Sequence, residues 1–162
     1  MHNKPEKQHE WLRKFVGEWT SQTECTMTPG GPPETFGGTD SVRAVGDLWV
    51  VGEGRGRTPG GDAATMLLTL GYDPQQGRFV GTWVGSMMSY LWVYNGVLDE
   101  AGRVLRLGCQ GPSMSEPGKL TAYQDVFEFH SDDHRTLTAL TRGDDGEWTQ
   151  IMMTHYRRVK ES

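Results

Sequence analysis

After Gly17 the apolar residues of this chain alternate with other residues, and this period of two persists almost to the C-terminal end. Between residues 119 and 130, for example, one face of the pattern consists of Tyr123, Asp125, Phe127 and Phe129. Alternation of this kind places successive side chains on opposite faces of a β-strand. The alternating segments are rich in aromatic and β-branched residues, which suit a pleated surface. The sequence therefore predicts an all-β protein.

Clusters of glycine, proline and aspartate separate the alternating segments at the spacing of about 8–12 residues that is typical of all-β folds. The clusters lie at residues 29–33, 59–62, 73–77, 99–102, 112–118 and 144–146. About ten strands are predicted, and they begin near Glu18, Thr35, Leu48, Ala63, Arg78, Ser89, Arg103, Lys119, Arg135 and Glu147. Short loops join only antiparallel neighbours, and a sheet of this size hides its edges by closing. The predicted fold is an antiparallel up-and-down β-barrel.

The N-terminal segment 8–16 departs from the period of two. Trp11, Leu12, Phe15 and Val16 lie on one face of a helix, and Gly17 provides a stop. A helix of two turns is too short to be stable alone, so we expect it to dock on the barrel and close one end. The chain contains no linker, and residues 1–162 are predicted to form a single domain in which residues 1–7 are flexible.

The charge balance and the absence of targeting signals limit the partners. The 16 Lys and Arg residues are outnumbered by 21 Asp and Glu residues, which gives a net charge of −5. This argues against a nucleic-acid partner, because basic residues supply most of the non-specific affinity for phosphate. No apolar run approaches the roughly 18 residues of a membrane span, and residues 1–10 lack the apolar core of a signal peptide. We therefore expect a cytoplasmic protein with no membrane partner, in which Cys25 and Cys109 are free thiols.

Six short motifs, taken in order, resemble a known family. They are HEWL at 9–12, FVGEW at 15–19, GYD at 71–73, GTWVGSM at 81–87, DDG at 144–146 and YRR at 156–158. Together they resemble DUF1579, an uncharacterised bacterial family of lipocalin-like (calycin) barrels. The resemblance spans nearly the whole chain. It implies the fold more than the function, because the family has no assigned activity.

The resemblance also implies a structural signature at one end of the barrel. In lipocalin-like barrels, a Gly-x-Trp sequence on the first strand pairs with an arginine near the end of the last strand. Gly17 and Trp19 occupy the first two of these positions, and Arg157 or Arg158 occupies the third. The match further implies that Tyr156 and Arg158 face the interior, so that His155 faces outward.

The sequence contains no strong motif for catalysis or metal binding. His130 and His134 flank a polar turn, but ligands four residues apart converge on a helix and not on a hairpin. Spacings typical of zinc sites, such as His-Glu-x-x-His or Cys-x-x-Cys, do not occur. Cys25 and Cys109 lack the cationic neighbours that would activate a thiol. We predict no metal, no cofactor and no catalytic residue.

Glycine alternates with charged residues at Gly52, Gly54 and Gly56. Neither a Lys-Ser/Thr pair nor a helix follows, so this is not a phosphate-binding loop. In a strand, glycine at every second position leaves one face without side chains. Bare backbone opposite large aromatic residues would let the barrel wall curve over a cavity, and the same argument applies to Gly37 and Gly38.

Aromatic residues and flexible methionines form the strongest indication of a ligand. An aromatic stripe runs through residues 83–94, and its Trp83 and Trp92 are predicted to be near cross-strand neighbours. Such a stripe can line an apolar pocket or fill a core, because a small barrel is just wide enough for either. The candidate ligand-binding residues are Trp83, Met87, Tyr90, Trp92, Tyr94, Tyr123, Met152, Tyr156 and Arg158.

The favoured function is non-catalytic binding of a small, largely apolar or amphipathic molecule, with Arg158 and Tyr156 holding a ligand carboxylate. Two alternatives stay open. One is an enzyme that acts on such a ligand, with Asp125 or Glu53 as the acid or base. The other is a protein-interaction module with a filled core and a homodimer patch on the outer face of the last strand. The residues proposed for that patch are Ile151 and Met153.

Overall fold

The structure, a computed structural model, describes residues 1–26, 31–58 and 60–160. Ten antiparallel strands form one sheet that closes into a barrel. Each strand pairs with the next strand in the chain, and the first strand pairs with the last. The up-and-down barrel predicted from the sequence is therefore confirmed. No helix in the described ranges is both long and apolar enough to cross a membrane.

The strands begin close to the positions that the period of two predicts. They are β1 (Gly17–Cys25), β2 (Glu34–Val45), β3 (Trp49–Arg57), β4 (Ala63–Asp73), β5 (Arg78–Gly85), β6 (Trp92–Leu98), β7 (Val104–Pro112), β8 (Leu120–Ser131), β9 (His134–Arg142) and β10 (Trp148–Arg158). The predicted turns at 29–33 and 59–62 include residues 29, 30 and 59, which lie outside the described residues.

The start of β6 is the one clear deviation from these predictions, because the strand begins at Trp92 and not near Ser89. The chain that leaves β5 stays bonded to β4. Ser86 donates its N–H to the carbonyl oxygen of Thr65, and the N–H of Thr65 donates to Oγ of Ser86, each at 2.9 Å. Residues 86–91 therefore form the connection between β5 and β6 instead of extending their pairing.

The N-terminal segment closes one end of the barrel. It consists of α1 (Lys7–Leu12) and one turn of 3-10 helix, Arg13–Phe15. The ring of Trp11 packs edge-on against Phe79 and Phe129 from two distant strands, with ring centres 5.7 Å apart in both pairs. These contacts agree with the prediction that so short a helix depends on tertiary packing.

Hydrogen bonds fix this segment to the turns around it. The indole N–H of Trp11 donates to the carbonyl oxygen of Gly102 at 2.6 Å. His9 accepts the backbone N–H of Glu6 at Nδ1, so its proton lies on Nε2, which donates to the carbonyl oxygen of Tyr72 at 3.0 Å. His9 thus caps α1 with one nitrogen and binds the β4–β5 end with the other.

The first and last strands meet beside this segment. Trp19 and Arg158 lie opposite each other, and the Arg158 guanidinium lies 4.2 Å from the centre of the Trp19 ring. Arg158 also donates to the carbonyl oxygen of Val16 at 2.6 Å. Gly17 has φ of +135°, and a Cβ there would collide with the guanidinium of Arg158. The structure thus brings the Gly-x-Trp sequence and an arginine together at the closed end.

A β-bulge in β10 changes which residues face inward. Gln150 pairs with Leu140 and Met152 with Ala139, so Ile151 is an extra residue without a partner. Ile151 and Met152 both line the interior as a result. The expectation that Ile151 belongs to an outer patch is wrong, because strict alternation does not hold across a bulge.

Candidate functional site

A cavity of about 340 Å³ lies inside the barrel. This volume falls within the range of small-molecule sites. At one end, which we call the mouth, the wall includes Met88 and Met114, and Met114 is 55% exposed. At the other end, which we call the floor, Arg135 packs on Phe15 and Trp19 of the closed end. The apolar wall between them includes Phe36, Met66, Leu68, Trp83, Trp92, Phe127, Leu137, Ala139, Ile151 and Met152.

Glycines form the wall on the side of β2 and β3. Gly52, Gly54 and Gly56 line the cavity, as do Gly37 and Gly38 on the neighbouring strand. Gly52, Gly54 and Gly56 lie on one face of β3, so a side chain at any of these three positions would take up space that now belongs to the cavity. At Gly38 a Cβ would instead collide with the carbonyl oxygen of Arg55, so this glycine allows β2 and β3 to approach closely. The structure therefore agrees with the prediction that the bare faces let the wall curve over an open volume.

The predicted tryptophan pair lies on the part of the cavity wall that β5 and β6 form. Trp83 on β5 and Trp92 on β6 occupy directly opposite positions in the strand register, and both line the cavity. The ring of Trp92 packs edge-on against Tyr123 at 5.0 Å, and its N–H donates to Sδ of Met88 at 3.4 Å. Two of the six tryptophans are thus positioned to report on anything that enters.

A buried ion pair lies at the floor. Nη2 of Arg135 donates to Oδ2 of Asp40 at 2.8 Å, and the Arg135 side chain is 1% exposed. The guanidinium lies 3.9 Å from the centre of the Tyr156 ring. Its Nε is buried without a hydrogen-bond partner among the described residues. Burial raises the pKa of Asp40, and the positive charge of Arg135 offsets part of this effect.

A second carboxylate, Asp125, lies on the inner face of β8. The hydroxyl of Tyr94 donates to Oδ2 of Asp125. Burial raises the pKa of Asp125 to about 6, and the hydrogen bond from Tyr94 offsets only part of this effect. Burial and the nearby Asp125 charge also raise the pKa of Tyr94 well above its ordinary value. At neutral pH the cavity therefore contains an ionised carboxylate that forms no salt bridge with any cation in the part of the chain that the structure describes.

This pKa predicts how stability changes with pH. The folded state holds the Asp125 proton more tightly than the unfolded chain, whose ordinary pKa is near 3.8. The free energy of unfolding therefore falls as pH rises from about 4 to about 6, and the full loss is present above pH 6. Asp125→Asn removes this effect. We expect the variant to be more stable than the wild type at pH 7.5 by up to about 3 kcal/mol, with the difference shrinking towards pH 4. Urea denaturation of both proteins between pH 4 and 8 measures it, and a difference independent of pH would contradict the assignment.

Six of the nine candidate ligand-binding residues line the cavity. They are Trp83, Trp92, Tyr94, Tyr123, Met152 and Tyr156. Met87 lies on the β5–β6 connection and is exposed. Tyr90 lies outside the strand ladder and donates its hydroxyl to the carbonyl oxygen of Gln110 at 2.9 Å. Tyr90 was included because β6 was expected to begin near Ser89, and Met87 because flexible methionines accompany the aromatic stripe; β5 in fact ends at Gly85.

The position expected for Arg158 is corrected by the structure. Arg158 lies on the same face of β10 as Tyr156, as predicted, but at the end of the strand, where the N-terminal segment closes the barrel. Its guanidinium packs on Trp19 and donates to the carbonyl oxygens of Val16, Lys14 and Asp132. The arginine that is buried at the cavity is instead Arg135 on β9, whereas Arg55 and Arg57 border the cavity with exposed side chains.

The other residues considered for chemistry lie apart from the cavity. Glu53 is on the outer face of β3, where it pairs with Arg55. His134 stacks between His130 and His155 outside the barrel, and Nε2 of His134 lies 2.9 Å from Nδ1 of His155. Within the described ranges, no three His, Cys, Asp or Glu side chains are arranged to hold a metal ion.

The two cysteines are unpaired, and Cys25 is buried. Cys109 lines the cavity, where burial raises the pKa of its thiol to about 12. A thiol with so high a pKa is protonated at neutral pH and is a poor nucleophile.

A family model described as "Protein of unknown function (DUF1579)" matches residues 4–158. The chain belongs to the DUF1579 family. The motifs that resemble this family therefore identified it correctly, and the barrel architecture agrees with the fold that the resemblance implied.

Solved structures share the fold of this DUF1579 barrel. The crystal structure of Rv2717c from M. tuberculosis has a TM-score of 0.70 at 13% identity and covers 97% of this chain and 100% of its own. The S-type phycobiliprotein lyase CPES from Guillardia theta has a TM-score of 0.61 at 14% identity, with 99% of this chain and 100% of its own covered. Among curated protein sequences, none matches significantly.

The sequence interpretation of this DUF1579 chain missed the polar pair at the floor. Asp40 lies on the inward face of β2 beside Val42, and Arg135 lies on the inward face of β9 beside Leu137. In each of these strands, the alternation places a charged residue at a position that faces the core, and this could have indicated a buried charge. Because the two charges are opposite, they could have been predicted to form an ion pair. Gly52 and Gly54 leave space for the two side chains inside the barrel.

Proposed function

We propose that this DUF1579 barrel binds a small, largely apolar molecule in its cavity without catalysing a reaction. The observation that carries the proposal is the cavity itself: about 340 Å³, walled by aromatic rings, methionines and bare glycine backbone, and reaching the surface beside Met88 and Met114. A filled core would leave no such volume, because protein interiors are normally packed to the density of organic crystals.

Two further features support a ligand. Methionines concentrate on the wall and at the mouth, where flexible thioethers can adapt to different shapes. Polar groups are few and lie at defined places, which is typical of sites that orient an apolar ligand. A protein of the same fold is named a phycobiliprotein lyase, and this name is compatible with a barrel that takes a molecule into its interior.

Saturable binding of a neutral apolar probe tests the proposal. We expect 1-octanol to change the tryptophan emission of the wild-type protein along a single hyperbolic curve, because Trp83 and Trp92 line the cavity. Isothermal titration calorimetry on the same sample should give a stoichiometry near one. The measured affinity then serves as the reference for variants.

A variant that fills the cavity provides the decisive comparison. A Cβ at Gly56 would make ordinary contacts of 3.5 Å and 3.8 Å with Gly37 and Gly38, so Gly56→Leu can be accommodated and its side chain occupies cavity space. Glu53→Leu introduces the same side chain on the outer face of the same strand. We expect Gly56→Leu to weaken octanol binding at least tenfold and Glu53→Leu to leave it unchanged. Equal affinities in all three proteins would place binding elsewhere and remove the proposal.

A further inference from the structure

Two carboxylates line the cavity, and only one of them has a bonded cation among the described residues. Asp40 is matched by Arg135 through a direct ion pair. Asp125 has no such partner: its one hydrogen bond among the described residues comes from the neutral hydroxyl of Tyr94, at Oδ2.

Arg55 and Arg57 also border the cavity, but both are exposed: Arg55 pairs with Glu53, and Arg57 donates to the carbonyl oxygen of Gly61. Among the described residues, Asp125 is therefore an interior carboxylate without a bonded cation. A carboxylate ligand would bring a second negative charge close to Asp125, and the two like charges would repel each other.

One oxygen of Asp125 remains available to a ligand. Oδ1 has no hydrogen-bond partner among the described residues, yet it is not among the atoms that are both buried and unsatisfied. Asp125 keeps part of its surface accessible, and because it lies on the inner face of β8, that surface belongs to the cavity. A carboxylate oxygen that is open to a pocket can accept a strong hydrogen bond from a charged donor.

Aromatic residues neighbour Asp125 on the cavity wall. Tyr123 and Phe127 flank Asp125 on the same face of β8, and Tyr94 contacts it from β6. Aromatic faces attract cations through their quadrupoles, and desolvation strengthens the attraction. A negative charge within an aromatic wall is the chemistry that recognises an organic ammonium group.

We propose that the cavity selects apolar molecules that carry a protonated nitrogen, and that Asp125 binds this nitrogen. The inference rests on the proposed function, because it names the class of ligand for the same cavity. It replaces the carboxylate that the sequence suggested, since that suggestion depended on an inward Arg158, and the guanidinium of Arg158 is bonded at the closed end.

Three probes with one alkyl chain separate charge from hydrophobicity: octylamine, 1-octanol and octanoate. At pH 7.5 and 0.15 M salt we expect octylamine to bind at least tenfold more tightly than 1-octanol, and octanoate to bind most weakly. Asp125→Asn keeps the shape of the side chain and an oxygen that can accept from Tyr94. This variant should lose the preference for the amine and keep its affinity for the alcohol within about twofold.

Glu53→Gln is the matched control. It removes one carboxylate from the outer face of the barrel and changes the net charge by the same amount as Asp125→Asn. The amine-to-alcohol ratio should stay at the wild-type value in this control. A ratio that falls equally in both variants would show a general effect of protein charge and would overturn the assignment to Asp125.

The pH dependence supplies a test that needs no variant. Octylamine remains protonated between pH 5 and 8, as an alkylamine similar to lysine does. The groups that face Asp125 are Tyr94 on β6, Cys109 on β7 and Tyr156 on β10, whose raised pKa values keep them neutral over this range. Arg135 also faces Tyr156, but among the described residues neither Arg135 nor Asp40 forms a hydrogen bond or salt bridge with Asp125. The preference for the amine should therefore decline as pH falls below about 6, where Asp125 takes up its proton.

The outcomes distinguish this inference from the proposed function. Binding of 1-octanol with no preference for octylamine, or a preference that persists in Asp125→Asn, would overturn the inference and leave the binding function standing. A pH dependence that persists in Asp125→Asn would identify Asp40 as the titrating group and would equally overturn it. If none of the three probes binds, both the inference and the proposed function are contradicted.

Discussion

Trp19→Ala is expected to lower the free energy of unfolding by about 3–5 kcal/mol, the usual cost of removing a buried aromatic side chain. Trp19 is 1% exposed, and its indole N–H donates to the carbonyl oxygen of Phe15 at 2.8 Å. The guanidinium groups of Arg135 and Arg158 lie 4.7 Å and 4.2 Å from its ring centre. The substitution therefore leaves a cavity and also removes the surface on which two cations pack.

Urea denaturation of the variant beside Trp148→Ala measures this effect. Trp148 is 39% exposed at the start of β10, so its replacement should cost less than about 1 kcal/mol. Trp19→Phe keeps most of the ring volume but loses the N–H donor, and it should fall between the two. It also provides a measurement if Trp19→Ala is too unstable to purify. A wild-type midpoint for Trp19→Ala would show that the first and last strands do not depend on this contact.

The barrel could be predicted from the sequence because local and global requirements agree along most of the chain. In β8 the alternation of Tyr123, Asp125, Phe127 and Phe129 determines which side chains face the interior. A shift of one residue in the pairing with a neighbouring strand would turn apolar side chains outward, so the pattern also specifies the register. Turn residues then fix where each strand ends. A resemblance in short motifs added the lipocalin-like architecture, and the contact between Trp19 and Arg158 follows from it.

The errors arose where tertiary contacts override local pattern. Nothing in the alternation of β10 indicates the bulge at Ile151, which depends on pairing with β9. The pattern of Tyr90 and Trp92 predicts a strand from Ser89, but hydrogen bonds between Ser86 and Thr65 direct the chain away. Whether a side chain points inward or outward can thus be predicted from the sequence. Its position along the barrel axis, between the mouth and the closed end, cannot. Arg158 shows the difference: it faces inward but lies at the closed end.

The candidate site consists of residues at particular positions along the barrel axis, so it could be predicted only in part. The pairing of Trp83 with Trp92 depends only on the register between two neighbouring strands, and it was predicted from the sequence. The pairing of Asp40 with Arg135 joins residues 95 positions apart on strands that do not pair with each other. Contacts across a barrel interior depend on strand tilt and stagger, and these are properties of the closed sheet and not of any one segment.

Arg135→Met is expected to destabilise the protein by about 3–5 kcal/mol, because it leaves Asp40 buried without its cation. The side chain of Asp40 is 13% exposed, and Arg135 is its ion-pair partner. The loss should shrink as pH falls, since burial already raises the pKa of Asp40 and removing Arg135 raises it further, so that the carboxyl group takes up a proton and no longer needs a cation. Urea denaturation at pH 5 and pH 7.5 measures the dependence.

The double variant Asp40→Asn with Arg135→Met tests the cause of that loss. If an unpaired buried charge is responsible, removing the charge as well should recover a large part of the stability lost in Arg135→Met, because replacing both members of a buried pair is often nearly neutral. Arg55→Met, which breaks the exposed pair between Arg55 and Glu53, should cost less than about 1 kcal/mol. Additive effects of the two cavity substitutions would show instead that Arg135 stabilises the barrel by packing on Trp19 and Tyr156, independently of the charge of Asp40.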